Sequence, residues 1–210
     1  MKGFYKSVAK RIIDYLFLFF SSPIWIPLIL VLSLIVKLTS TGPVLFKQKR
    51  VGKDCRHFMI YKFRSMYVDT PKDTPTHLLE NPEAFITPIG SFLRKLSLDE
   101  LPQIFNIFKG DITLVGPRPA LWNQDDLIAE RAKNGANDIR PGLTGLAQVS
   151  GRDELPIAIK ARYDGEYKAK MSFLFDMKIL LLTVRAVFRS EGVVEGGTGT
   201  MKSANDEVDS

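Results

Sequence analysis

The longest apolar stretch in the chain runs from Tyr15 to Val36 without a charged residue. That length is enough for a helix to cross a bilayer. The run is not uniform. Ser21-Ser22-Pro23 lies near its middle, and Pro27 follows four residues later. Each proline removes a backbone donor and crowds the preceding turn, so the pattern predicts a kink or a break. Basic residues lie on both sides: Lys2, Lys6, Lys10 and Arg11 before the run, and Lys37, Lys47, Lys49 and Arg50 after it. A spanning helix is better matched by a basic excess at one end only. Two basic flanks suit a helix that enters the membrane, bends at Ser22-Pro23 and returns to the same face. A kinked spanning helix satisfies the same apolar pattern, because proline is tolerated in spanning helices. A cleaved signal peptide fits less well, since no small-residue cleavage pattern follows.

Beyond a Thr39–Pro43 loop the periodicity changes. Val44–Phe46 and His57–Phe63 read as short strands, with Val51–Asp54 as the turn of a basic hairpin. Lys62 and Arg64 bracket Phe63 and share a face if the strand continues. They suit phosphate, or simple solvation. Residues 67–90 read as a polar connector with a short helix at Thr76–Leu79. Ile89–Leu96 reads as a helix, as does the run Leu101, Ile104, Phe105, Phe108, which Lys109-Gly110 stops. Ile112–Val115 is β-type, and Leu121–Asn134 and Pro156–Tyr167 are helix-compatible. Phe173–Phe188 is strongly apolar, with Lys178, Arg185 and Arg189 as a basic stripe. Such a helix packs on a core or lies in a membrane interface. Residues 190–210 have a disordered composition. The division read from this pattern is 1–40 as membrane segment, 41–189 as a folded domain and 190–210 as a tail.

Charge narrows the partners. The 210 residues carry a formal net charge of +6, gathered in the first third, which favours phospholipid head groups, nucleotide phosphates or nucleic acid. The single cysteine, Cys55, excludes an internal disulfide. His57 and His77 are isolated, and nothing has zinc-ligand spacing. The most concentrated chemistry is Ser97-Leu98-Asp99-Glu100-Leu101-Pro102-Gln103. It follows Arg94-Lys95 and precedes an apolar-periodic run, so the two carboxylates fall at a helix start, where anions are favoured. Ser97-x-x-Glu100 is equally a capping box. Arg118 is bracketed by Pro117 and Pro119, which restrict the backbone around a guanidinium suited to bidentate phosphate binding. Arg140 and Arg152 lie in further glycine-containing loops. No Walker loop or dinucleotide fingerprint is present.

In order, these segments form a set: a basic N-terminus, a Ser-Pro-broken apolar helix, Tyr61-Lys62-Phe63-Arg64-Ser65-Met66, then Arg94 and Ser97–Gln103. Gly110-Asp111, Val115–Pro119, Arg140–Gly145, Gln148-Val149-x-Gly151-Arg152 and Tyr163-Asp164 complete it. The set resembles the bacterial sugar transferase family, the small monotopic phosphoglycosyl transferases, from about Lys10 to Arg189. Asp164-Gly165-Glu166-Tyr167 departs from it, with Gly165 and Glu166 where relatives tend to be apolar. The resemblance implies an α+β, mostly α fold: a re-entrant membrane helix hairpin plus a small cytoplasmic catalytic domain with a short β-hairpin and interfacial amphipathic helices. It implies transfer of a sugar-1-phosphate from a UDP-sugar to polyprenyl phosphate, with UMP released and Mg²⁺ required, at the bacterial inner membrane. In that reading Asp99 is the nucleophile and a Mg²⁺ ligand, and Glu100 is its partner. Lys62, Arg64, Arg94, Pro117, Arg118, Pro119, Arg140 and Arg152 serve substrate binding, and Asp164 is a supporting acid. Nucleic acid is not an expected partner; membrane lipid is, and a homodimer is allowed. The competing reading is a membrane-anchored basic scaffold without chemistry, which would tolerate Asp99→Asn and need no Mg²⁺.

Overall fold

The computed structural model describes residues 5–71, 82–151 and 155–189. The expected helix at Thr76–Leu79, the loop residue Arg152 and the 190–210 tail lie outside the described residues. After a π-helical turn, Tyr5–Ala9, comes the long helix α1, Lys10–Thr39. A β-hairpin, β1 (Leu45–Val51) and β2 (His57–Phe63), follows. Helix α2 (Pro88–Lys95), a 3₁₀ segment (Leu98–Gln103) and helix α3 (Ile104–Lys109) come next. Then come β3 (Thr113–Val115), α4 (Asp125–Ala132) and β4 (Gly142–Thr144). The chain continues through α5 (Leu146–Val149), α6 (Ile157–Lys170) and α7 (Phe173–Arg189). The fold is mostly helical α+β, as the resemblance implies.

The hairpin pairs antiparallel in full register, from Leu45 opposite Phe63 to Val51 opposite His57. Its first strand is longer than expected. The turn sits later, with Asp54 and Cys55 both in the left-handed region (φ 53° and 58°). The second sheet was not foreseen: β3 and β4 pair in parallel, Thr113 with Gly142 and Val115 with Thr144. A parallel pair needs a long crossover, supplied here by the segment carrying α4. The glycines around β4 permit backbone-to-backbone packing. A Cβ on Gly142 would lie 2.1 Å from Gly116 N, and one on Gly145 2.1 Å from Gly116 O. Gly165, the departure from the family pattern, has a similar cause: a Cβ there would come within 2.6 Å of the Asn134 side chain.

Helix α1 continues through Pro23 and Pro27 where the sequence predicts a break. A local side chain replaces one of the missing donors, and another ties down the turn beside it. Pro23 cannot donate to the Phe19 carbonyl, and Ser22 Oγ donates to it instead at 2.7 Å. The Trp25 indole N–H reaches the Leu18 carbonyl at 2.9 Å. One face of α1 belongs to the domain core along much of the helix. Leu18 joins Ile104, Ile107, Ile112, Leu114, Val115 and Tyr167, while Leu32 and Val36 pack with Phe63 and Leu93. At about 1.5–3 kcal/mol per fully buried apolar side chain, these contacts fasten both halves of α1. The opposite face is apolar and open: Phe19, Phe20, Ile24, Leu30, Leu34 and Leu38 are all exposed. Among the described residues, α1 is the one helix long and apolar enough to cross a membrane. Helix α7 packs one face on the core, the first of the two roles its pattern allows, and leaves the other face open. Asp176 and Ile179 are buried in the core, while Leu174, Leu181, Val184, Lys178 and Arg185 face outward.

Candidate active site

Three elements bring cations to Asp99 and Glu100. Strand β2 supplies Lys62, with the neighbouring Phe63 pointing the other way into the core. The outer edge of β2 is matched to α3 by one buried side chain, Asn106. Its Oδ1 accepts from Tyr61 N–H at 3.0 Å, and its Nδ2 donates to Met59 O at 2.8 Å. That side chain imitates a neighbouring strand and fixes Lys62 relative to the carboxylates. Helix α2 supplies Arg94. It begins cleanly, with the Thr87 hydroxyl accepting from Gly90 N–H at 3.0 Å and Pro88 in the first turn. The loop after β3 supplies Arg118.

The carboxylates sit at a helix start, as expected, but the helix there is of another type. They lie in the 3₁₀ segment, and the α-helix starts only at Ile104. In an α-helix starting earlier, Pro102 could not donate to the Leu98 carbonyl and its ring would clash with it. The capping box is not formed either. Ser97 is left-handed (φ 56°) and its side chain makes no capping bond. The Glu100 side chain is committed elsewhere. Glu100 Oε1 accepts from Lys62 Nζ at 2.7 Å and from Arg118 Nη2 at 2.9 Å. Lys62 Nζ also stands 3.7 Å from Asp99 Oδ2.

The electrostatics of the two acids differ. Burial pushes Asp99 above the ordinary carboxylate range. Lys62 opposes the shift, the Glu100 charge adds to it, and Arg94 and Arg118 oppose it further. Burial also penalises Glu100, but Arg118 and Lys62, by charge and by hydrogen bond, outweigh it and hold Glu100 well below the ordinary range. The result is one firmly ionised organiser and one desolvated, more basic carboxylate beside it. Three cations therefore act on two acids, an excess of positive charge suited to an anionic ligand. Among the described residues no three His, Cys, Asp or Glu gather as a metal cage. A carboxylate pair still fits Mg²⁺, which is commonly held by one or two carboxylates together with substrate phosphates.

The other expected residues are placed as follows. Pro117 and Pro119 are buried on either side of the half-buried Arg118. Arg64 does not share a target with Lys62. It is 4% exposed, and its Nη2 donates to the carbonyl and hydroxyl of Ser40, at the end of α1. Burial lowers its pKa. Arg140 Nε donates to Gly110 O at 3.1 Å, at the end of α3. Asp164 is 1% exposed and bound to Arg131. It reaches the site only through Arg131, whose Nη2 donates to the Arg118 carbonyl at 2.9 Å. Arg131 was missed from the sequence. It lies in a polar helix whose buried face has too few apolar residues to be told from its exposed one.

A model of the bacterial sugar transferase family matches residues 5–190. The chain belongs to the bacterial sugar transferase family. It is 40% identical over 186 residues to an uncharacterized sugar transferase, EpsL, of Bacillus subtilis, covering 89% of this chain and 90% of that one. It is 34% identical to the exopolysaccharide production protein ExoY of Sinorhizobium fredii, covering 88% of each. It is also 41% identical to a UDP-glucose:undecaprenyl-phosphate glucose-1-phosphate transferase of Xanthomonas campestris, covering 75% of this chain and 34% of that longer protein. An enzyme of this family is at odds with a scaffold that does no chemistry.

Proposed function

We propose that this phosphoglycosyl transferase moves a sugar-1-phosphate from a UDP-sugar to polyprenyl phosphate through a covalent aspartyl intermediate. The observation that carries the reading is the placement of a desolvated carboxylate, Asp99, among Lys62, Arg94 and Arg118, with Glu100 holding two of those cations in place. An Asp99 oxygen attacks the sugar-linked phosphorus. The bond from that phosphorus to the bridging oxygen breaks, and UMP leaves with the electron pair. An oxygen of the lipid phosphate then attacks the same phosphorus, forms the lipid diphosphate sugar and frees Asp99. Splitting the transfer in two keeps the two anionic substrates from having to meet. Lys62 and Arg118 neutralise charge developing on the phosphoryl oxygens. Mg²⁺, held by Asp99 together with the donor phosphates, would add Lewis-acid stabilisation of the same charge.

The site is proposed to work at the head-group layer on the cytoplasmic face of the inner membrane, with α1 re-entrant. Support comes from both ends of α1 gripping one domain. Lys10 pairs with Asp176 at its start, and Ser40 receives Arg64 at its end. A helix bound this way along one face, with its other face apolar and open, enters the bilayer without carrying its ends to opposite sides.

The test gives the enzyme a panel of UDP-sugars with Mg²⁺ and no lipid. The expected result is UMP release limited to the amount of enzyme, with a phosphosugar adduct on the intact protein that maps to the Ser97–Phe108 peptide. With both substrates, initial rates should be ping-pong. An adduct on Glu100, or UMP release that requires lipid, overturns the mechanism.

A further inference from the structure

We infer that Arg131 and Arg50 are positioning residues that fix Arg118 from its backbone side; this rests on the phosphate-binding role proposed for Arg118. Three consecutive carbonyls of the Pro-Arg-Pro loop are each held by a different element. Pro117 O accepts from Gly142 N–H at 2.8 Å, Arg118 O from Arg131 Nη2 at 2.9 Å and Pro119 O from Arg50 Nη1 at 3.0 Å.

The two arginines are aimed in the same way. Arg131 is set by Asp164, whose Oδ2 accepts from Nε at 2.8 Å and lies 2.7 Å from Nη2. Arg50 is set by Gln48, whose Oε1 accepts from Nε at 3.0 Å and from Nη2 at 2.6 Å. Asp164 and Gln48 are both buried. In each case one side of the guanidinium is locked by an acceptor and another N–H is left directed at the loop. Arg131 comes from α4 and is oriented from α6, while Arg50 and Gln48 come from β1.

Prolines on both sides restrict φ and ψ but leave the loop free to move as a unit. The bracket removes that freedom. It holds the Arg118 Cα while the guanidinium rests on Glu100, so the fork meets phosphate with little ordering left to lose. A lysine in place of either arginine keeps the positive charge but loses the planar fork, whose Nε engages the orienting acceptor and so fixes the direction of the nitrogen that reaches the loop carbonyl. Arg131 and Arg50 touch no reacting atom in this arrangement and act only through Arg118.

The experiment is a double-mutant cycle on the full chain in detergent or lipid nanodiscs. It reads kcat and KM for UDP-sugar together with the melting temperature. Arg131→Lys and Arg50→Lys should each lower kcat/KM by about fivefold to tenfold, the scale of one charged hydrogen bond. In an Arg118→Ala background the same changes should cost less than about twofold, because the group they position is gone. A purely structural role predicts the same fractional loss in both backgrounds, and that result overturns the proposal. So does wild-type kcat/KM in both lysine variants. Should Arg131→Lys fail to fold, the Arg50 arm decides alone, since Arg50 is half-buried on a hairpin strand. Full activity in Arg118→Ala itself would instead strike the phosphate role of Arg118, and is read separately.

Discussion

Two charge clusters of similar composition lie on this domain, and they are built for different ends. The first is the site around Asp99. The second fastens the start of α1. There Asp176 receives Lys10 Nζ, Tyr5 O–H at 2.6 Å and Tyr167 O–H at 2.8 Å. Beside it, Asp14 receives the Thr113 hydroxyl, and Arg11 donates to Ile107 O at 3.0 Å and Ile112 O at 3.1 Å. The fastening is balanced, two cations against two acids, with Lys10, Asp14 and Asp176 all buried. Burial, with Asp176 adding to it, drives the Tyr5 and Tyr167 phenols far above their ordinary range, so both stay as donors. The site around Asp99 is unbalanced, with three cations against two acids, and Arg118 is still 38% exposed. Balance with closure makes a joint. A positive surplus with an opening makes a place for an anion.

That contrast breaks first at the nucleophile. Asp99→Asn should remove both the adduct and turnover, by on the order of 10⁴-fold or more, the scale seen when an attacking group is deleted. The chain should still fold, because the amide relieves burial of a charge and no capping bond depends on Asp99. A folded Asp99→Asn protein that retains turnover would place the chemistry elsewhere. The joint should answer in the opposite currency. Asp176→Asn leaves Lys10 buried without its counter-charge, a change that costs about 3–5 kcal/mol. A large drop in melting temperature with unchanged kcat per folded molecule is the expected pair of readings. Lys10→Met with Asp176→Leu should recover part of the loss, since it removes the unpaired buried charge but leaves the Tyr5 O–H without its acceptor.

How much of this was legible in the sequence follows from the same contrast. Lys62, Arg94, Asp99, Glu100 and Arg118 stand in short motifs whose residue types announce charge chemistry, and the fold brings them together. The hairpin and most helices follow from local periodicity. What escaped depends on contacts between distant segments. The β3–β4 pair joins three-residue strands too short to carry a period. Arg131 is a buried polar group, and no local pattern separates such a group from a solvated one; the motifs named Arg64 and Asp164, but not that they are buried. The capping box misled because Ser-x-x-Glu describes spacing alone, while the left-handed Ser97 and the partners of Glu100 belong to tertiary structure.

A smaller effect sharpens the site. Arg118→Lys keeps the surplus charge but loses the fork, and should lower kcat/KM by about tenfold. The melting temperature should hold, since a half-exposed ion pair contributes little stability. Wild-type kinetics in that variant would return Arg118 to a surface role and leave Lys62 and Arg94 to neutralise phosphate.

The smallest effect concerns the bend proposed for α1. Ser22→Ala with Pro23→Leu removes both the cause of a bend and the hydroxyl that serves the Phe19 carbonyl. By pattern alone this should turn the segment into a spanning helix. The joint predicts otherwise, because Lys10 stays bound to Asp176 and Ser40 to Arg64 on one domain. Gly3→Cys and Thr41→Cys, each in a Cys55→Ser background because Cys55 is exposed, report the two flanks. An impermeant thiol reagent should reach both from the cytoplasmic side only, in the parent and in the Ser22→Ala, Pro23→Leu variant alike. Adding Asp176→Asn frees the start of α1, and only then should a fraction of the Gly3→Cys thiols become reachable from the other side. Labelling of the Gly3→Cys thiol from the periplasmic side with the joint intact would mean that the apolar pattern, and not the buried charge pair, decides how this helix sits in the membrane.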